Sequence, residues 1–313
     1  MEPIFLKPTF KERIWGGQAL KDQFHYSIPS NKTGECWAIS AHPNGPSVVE
    51  NGAHSGKTLD VLWKDHPELF GNPEQSDFPL LTKIIDANMD LSVQVHPDDD
   101  YNLIHSGEPG KTECWYILDC DEGAELIFGH TALNKDQFIE QVRSDQWGEL
   151  LKRIPIEPGD FFYVPSGTLH AIGKGTLVLE TQQSSDTTYR VYDFNRVDEK
   201  GQKRELHIDQ AVEVATIPHQ EKQPNQWLSH FGPSRITRLV QSPFFNVYKW
   251  EIRGSYKGNV LDQYLLVSII EGEGSIVYND HCYAIQKGTH FLLPAGLGEY
   301  QLIGNLDAIV SHN

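Results

Sequence analysis

Two stretches of this sequence decide its fold: EPGDFFYVPSGTLHAI at 157–172 and QKGTHFLLPAGLGEYQL at 286–302. In each, a glycine (Gly159, Gly288) stands six residues before a proline (Pro165, Pro294), and another glycine (Gly167, Gly296) follows two residues later. Upstream, ECWYILDCDEGAEL (113–126) and DQYLLVSIIEGEGSI (262–276) share a strand–turn–strand rhythm. Glu113 lies ten residues before Gly123, and Asp262 ten before Gly272. A glycine after a strand supplies the backbone freedom that a hairpin requires. Two matches in the same order point to two copies of one β-unit.

Working outward, short runs rich in β-branched and aromatic residues recur between Gly, Pro, Asn and Asp: LSVQVHP (91–97), CWYILDC (114–120), TLVLETQQ (176–183), NVYKWEI (246–252) and YLLVSIIEG (264–272). Helical spacing is confined to 57–70, 134–151 (with Asn134 as N-cap) and 204–216. The expected fold is mainly β: two tandem β-barrels with a small helical insertion. Pro218, Pro224 and Pro233 mark 217–233 as a connection. The boundary is set at 228, giving a first domain, 1–228, that carries the metal and active site, and a second, 229–313.

The net charge of −17 argues against nucleic acid or an anionic membrane as a partner. A phosphate site here would have to be a local cluster of Lys and Arg. Cys36, Cys114, Cys120 and Cys282 form no CxxC pair and no disulfide framework, so reduced, buried thiols are expected. The first 17 residues, MEPIFLKPTFKERIWGG, do not read as a signal peptide. No window approaches 18 consecutive apolar residues, so a soluble, cytoplasmic protein is expected.

Four candidate metal ligands lie in the first copy. Gln94 and His96 are two apart, hence on one face of a strand; Glu113 opens a later strand; His170 follows the PSG turn. Imidazole nitrogen with carboxylate and amide oxygen suits Zn²⁺ and admits Mn²⁺ or Fe²⁺. With no cysteine in the set, room remains for water or substrate, as in a catalytic site. By sequence offset, the second copy has Tyr248, Trp250, Asp262 and Glu299 at these places. The β-pattern survives there while the histidines vanish. A lone strand histidine is more often a hydrogen-bonded core or surface residue; joint loss of both favours a metal site in one copy.

The segments QVHPDD (94–99), GKTECWYIL (110–118), PSGTLHAI (165–172) and LETQQSSDTTYRVYDFNR (179–196) resemble signatures of the type I mannose-6-phosphate isomerases, which are zinc-dependent cupins. KERIWGG (11–17) and GECWAIS (34–40) extend the likeness. The resemblance implies a pair of cupin jelly rolls in the family's short form. It implies one zinc per chain on Gln94, His96, Glu113 and His170, a catalytic arginine at Arg190, and pocket positions at Ser92 and Lys111. Longer members carry lysine where this chain has Arg196, which is taken as substrate-binding. The implied reaction is interconversion of mannose 6-phosphate and fructose 6-phosphate through a cis-enediol, with a hexose phosphate as partner.

The residues read alone agree. Lys111 is two before Glu113 and shares its strand face, and a carboxylate such as Glu180, ending TLVLE, is costly without a partner and could shuttle the proton. Arg190 and Arg196 could partner it or hold phosphate; each could also be a solvated surface charge. A metal-dependent dioxygenase or epimerase, or a non-enzymatic sugar-binding cupin, stays open at this level.

Overall fold

The computed structural model describes residues 1–197 and 200–313. Its strands form three antiparallel sheets. A six-stranded sheet runs in the order Phe161–Val164, Glu113–Cys120, Thr176–Gln183, Leu80–Ala87, Thr33–Ser40, Thr9–Gly17. A five-stranded sheet, Tyr189–Tyr192, Val93–Val95, His170–Ile172, Glu125–His130, Leu151–Pro155, faces it and closes the first jelly roll. The nine-stranded sheet of the second roll is built on three long strands, Asn246–Val260, Leu265–Tyr278 and Gly298–His312. The N-terminal strand Ile4–Lys7 joins this sheet by pairing with His290–Leu293. The expected connection 217–233 ends in an edge strand, Trp227–Phe231, between two of its prolines.

Across the three long strands Gly254 pairs with Gly304 and Gly304 with Gly274. Gly254 and Gly304 have φ of 80° and 137°, and a Cβ on Gly304 would stand 2.5 Å from the Glu273 carbonyl oxygen. Glycine fits the close approach at Gly304 and the positive φ at both positions.

The repeat is a repeat of hydrogen bonds. Gly159 N donates to Ile117 O at 2.8 Å, and Gly288 N to Ile269 O at 2.9 Å. Gly167 N donates to His96 O, and Gly296 N to Leu261 O. Val164 pairs with Glu113 as Leu293 pairs with Leu265, and His170 with Gln94 as Glu299 with Asn259. The second-copy counterparts of Gln94, His96, Glu113 and His170 are therefore Asn259, Leu261, Leu265 and Glu299. This corrects Tyr248, Trp250 and Asp262. The offset fails because helix Asp99–His105 is inserted between the His96 and Glu113 strands, whereas a short turn joins Leu261 to Leu265.

Helices form within the expected stretches but are shorter. Leu59–Asp65 gives way to a 3₁₀ turn at Pro67. Lys135–Arg143 is capped by Asn134, whose side chain accepts from Gln137 N at 2.9 Å, and Asp145 at φ 53° separates it from Trp147–Leu150. Ile208–Val214 completes the set. The reading passes over Ala19–Phe24 and Asp99–His105. Of the thiols expected to be buried, Cys36 and Cys114 are; Cys120 is half-buried and Cys282 exposed.

Every residue of Thr176–Gln183 is buried, because both faces of the six-stranded sheet are covered. Val178 faces the interior of the first roll with Trp115, Ile117 and Phe128. Leu177 and Leu179 face the second roll and share one core with Leu266, Leu292 and Ile309. A polar bolt crosses the same boundary: the Tyr26 hydroxyl contacts His290 Nε2 at 2.7 Å, and Ser268 Oγ lies 2.9 Å from His290 Nδ1.

Because that core is common to both rolls, Leu292→Ala should destabilise the protein by about 2–5 kcal/mol. Circular dichroism and tryptophan fluorescence in a urea titration should move to the same lower midpoint; separate midpoints would contradict a shared core.

Candidate active site and metal centre

Strand register gathers the predicted ligands. Glu113 starts its strand on the six-stranded sheet, while His170 and Gln94 pair across the five-stranded one, so the two sheets present them to a common point. The ligand atoms of His96, Glu113 and His170 lie within 4.8 Å of one another. His96 Nε2 is 3.4 Å from Glu113 Oε2, and His170 Nε2 is 3.3 Å from Glu113 Oε1. The Gln94 side-chain amide lies 3.4 Å from His170 Nε2. His96, Glu113 and His170 are almost wholly inaccessible to solvent.

The second ring nitrogens fix the imidazoles. His96 Nδ1 donates to Thr187 O at 2.9 Å and His170 Nδ1 to Thr168 O at 2.8 Å, which leaves each Nε2 lone pair aimed at the cluster. Burial, aided by the Lys111 charge, pushes His96 well below the usual histidine range; burial first and Lys111 also bring His170 to about 4. Glu113 Oε1 is buried and has no hydrogen-bond partner. Two neutral imidazoles, an orphaned carboxylate oxygen and an amide fit a divalent cation. The point of convergence already draws positive charge: Lys111 Nζ sits 2.9 Å from His96 Nε2 and 2.8 Å from Glu113 Oε2. Burial opposes that ammonium, but Glu113 and Glu180 lift it to about 12.

The Thr187 carbonyl is itself held from outside the barrel. Glu108 Oε2 accepts from Ser185 Oγ (2.9 Å), Asp186 N (3.1 Å) and Thr187 Oγ1 (3.0 Å). Burial works against the charge of Glu108, and these donors overcome it, holding the carboxyl below its ordinary range.

A cavity of about 300 Å³ opens over this centre, lined among others by Ser92, Gln94, Lys111, Glu180, Arg190 and Arg204. Glu180 is buried: Trp115 Nε1 donates to its Oε2 at 3.0 Å, and Lys83 Nζ stands 3.6 Å from its Oε1. Burial, then the Glu113 charge, raises its pKa against the pull of Lys111 and Lys83. Arg190 Nε donates to Ser92 Oγ at 3.2 Å, and Ser92 Oγ to Gln94 Oε1 at 3.3 Å, so the arginine is wired to the ligand set.

Arg196 does not line the cavity. Its three nitrogens bond to Asp193 O, Asp90 O and Asp193 Oδ1, which ties it into the loop.

The sequence reading also passes over Lys83, Arg13, Glu35 and Arg204. The signal for Lys83 was present: it is a lone cation in the apolar strand LLTKIIDA, as Glu180 is a lone anion in TLVLETQQ, and the two pair across the ladder. Glu35 carried a similar signal in GECWAIS; it binds Arg13 through both oxygens, at 3.0 and 2.9 Å.

Comparison with known proteins identifies the family. The family "Phosphomannose isomerase type I, catalytic domain" matches residues 4–129, and "Mannose-6-phosphate isomerase, cupin domain" matches residues 235–313. The chain belongs to the type I phosphomannose isomerase family. A relative described as a probable mannose-6-phosphate isomerase from Bacillus subtilis is 57% identical over 311 residues, covering 99% of both chains. A mannose-6-phosphate isomerase of Streptococcus mutans is 55% identical, covering 100% of this chain and 98% of its own. The crystal structure of a Bacillus subtilis mannose 6-phosphate isomerase, 53% identical, superposes with a TM-score of 0.98 over 100% of both chains. The apo form of the Salmonella typhimurium enzyme is 13% identical with a TM-score of 0.78, covering 100% of this chain and 99% of its own, and shares the fold.

Lys83 and Glu180 form a buried pair, so Lys83→Met should cost about 3–5 kcal/mol by removing the ammonium paired with that carboxylate. Glu180 already has a folded pKa above its unfolded value, and loss of Lys83 raises it further. The folded state then binds the proton more tightly, so stability rises as pH falls through that pKa. The deficit of Lys83→Met relative to the natural protein, measured by urea unfolding, should be full at pH 8 and smaller at pH 5. A deficit independent of pH would show that Glu180 is not the group left unpaired.

Proposed function

We propose that this chain is a metal-dependent aldose–ketose isomerase that interconverts mannose 6-phosphate and fructose 6-phosphate through a cis-enediol. The observation that carries it is one cavity, opening over a buried His/Glu/His cluster with neutral imidazoles, that is lined by a buried carboxylate of raised pKa and fixed cations. The ion is zinc, one per chain, on His96, Glu113, His170 and Gln94. The first domain, 1–228, holds this machinery, and the second, 229–313, is its metal-free repeat.

When bound, the zinc supplies Lewis-acid polarisation of the C1 or C2 oxygen. Glu180, desolvated and therefore a stronger base than a surface carboxylate, takes the proton from C2 of the open-chain aldose. It returns that proton to C1 as the ketose forms, while the hydroxyl proton passes from O2 to O1. Arg190 stays charged throughout and faces the oxygen on which negative charge develops. Lys111 donates to the same oxygens, and Ser92 holds the Arg190 guanidinium in place. Distant phosphate contacts position the reacting carbons.

Metal analysis joined to an isomerase assay tests the reading. Chelation should abolish turnover and added Zn²⁺ restore it; full turnover in demetallated protein would defeat it. His96→Ala should lose both metal and activity while circular dichroism stays unchanged, since the second roll folds with leucine at the equivalent position. Arg190→Ala should lower kcat by ~10²-fold or more with a smaller change in KM. A raised KM at unchanged kcat would instead make Arg190 a ground-state grip.

A further inference from the structure

The substrate's phosphate needs cations, in a chain whose net charge is −17. Four arginines stand near the cavity, and their partners separate them. Arg13 is held by both oxygens of Glu35 and by the Glu12 carbonyl, which occupy three of its nitrogens. Arg196 is spent on Asp193 and Asp90 and lies over the Phe194 ring, away from the cavity. Arg190 is wired through Ser92 to the ligand set, which places it at the reacting end.

Arg204 differs from all three. It lines the cavity, and its Nε donates to Asp193 Oδ2 at 2.8 Å while Nη2 donates to Asp193 Oδ1. A guanidinium has five N–H donors, so two bonds to Asp193 fix its plane and leave others for a ligand. The carboxylate that orients it does not neutralise it, because Asp193 also serves Arg196. Three guanidinium groups, Arg190, Arg196 and Arg204, thus gather about a buried Asp193. Among the described residues, Glu205 beside them is exposed and Asp186 lines the cavity. The surplus positive charge is suited to a dianion, and planar guanidinium geometry to phosphate oxygens.

We infer that Arg204, held in orientation by Asp193, is the phosphate-binding and specificity-determining arginine of this site. The inference rests on the isomerase reading and deepens it. Asp193 is the positioning residue: its Oδ1 accepts from Nη2 of both Arg196 and Arg204, and its Oδ2 accepts from Arg204 Nε, so one carboxylate anchors Arg196 in the loop and sets the plane of Arg204 at the cavity. Arg190 then serves C1 and C2, and Arg204 the phosphate at the far carbon. A grip equal in ground and transition states lowers KM and leaves kcat alone.

Inorganic phosphate, as a competitive inhibitor, is the probe. Losing a charge-assisted contact should raise its Ki, and the KM for mannose 6-phosphate, by about 10- to 100-fold in Arg204→Ala, with kcat within about threefold. Arg204→Lys, which keeps the charge and loses the planar fork, should recover part of the loss and also serves if the alanine variant misfolds. Arg196→Ala, which acts on the site only through the Asp193 it shares with Arg204, should raise the phosphate Ki by less than Arg204→Ala does. An unchanged Ki in both Arg204 variants, or loss of phosphate inhibition in Arg196→Ala alone, overturns the assignment. A natural protein that binds phosphate but does not isomerise mannose 6-phosphate defeats the isomerase reading and leaves the assignment of Arg204 intact.

Discussion

The interior of the first jelly roll holds charge, and the rest of the structure answers to that. His96, Lys83, Lys111, Glu113 and Glu180 are all at most 5% exposed. An isolated ion in such a place costs several kcal/mol even after relaxation. The charges are tolerable because they alternate: Lys83 against Glu180, Lys111 against Glu113, with the imidazoles kept neutral by burial. The same desolvation that makes the cluster expensive makes its carboxylate basic. Stability and reactivity here come from one source.

Holding such a cluster requires walls that do not yield. The six-stranded sheet is buried on both faces, and its outer face is packed against the second roll through Leu177, Leu179, Leu266, Leu292 and Ile309. The second roll keeps the hydrogen-bond plan of the first but places Asn259, Leu261 and Leu265 where the ligands would be. It acts as an apolar buttress. The Tyr26–His290–Ser268 chain adds direction to that packing, with His290 pushed down to about 3 by burial and so uncharged.

The loop after Thr176–Gln183 joins the centre to its surroundings. Its Thr187 carbonyl orients His96, and Glu108 on the inserted segment holds the loop from behind. Two residues further, the chain enters Tyr189–Tyr192 and presents Arg190. The helix inserted at Asp99–His105 is thus part of the scaffold that sets the His96 imidazole, through Asn102, whose amide donates to Thr187 Oγ1 at 3.2 Å.

Much of this was legible in the residues. The spaced glycines and proline of 157–172 and 286–302 encode the same turn twice, because backbone freedom and rigidity are local properties. Gln94, His96, Glu113 and His170 stood out as polar groups on strands that otherwise bury apolar side chains. What the chain order could not specify was pairing. The inserted helix shifted the sequence offset, so the equivalents of His96 and Glu113 emerged only from hydrogen-bond register. Lys83 and Glu180 are far apart in sequence and meet only across a ladder. Arg196 and Arg204 are two arginines near one motif, and which of them faces the cavity depends on how Asp193 and the Asp90 carbonyl fold around them. Local propensity and residue type determined the modules and the donor set. Register and burial, which are properties of distant segments in contact, decided which charges meet and which are left for a ligand.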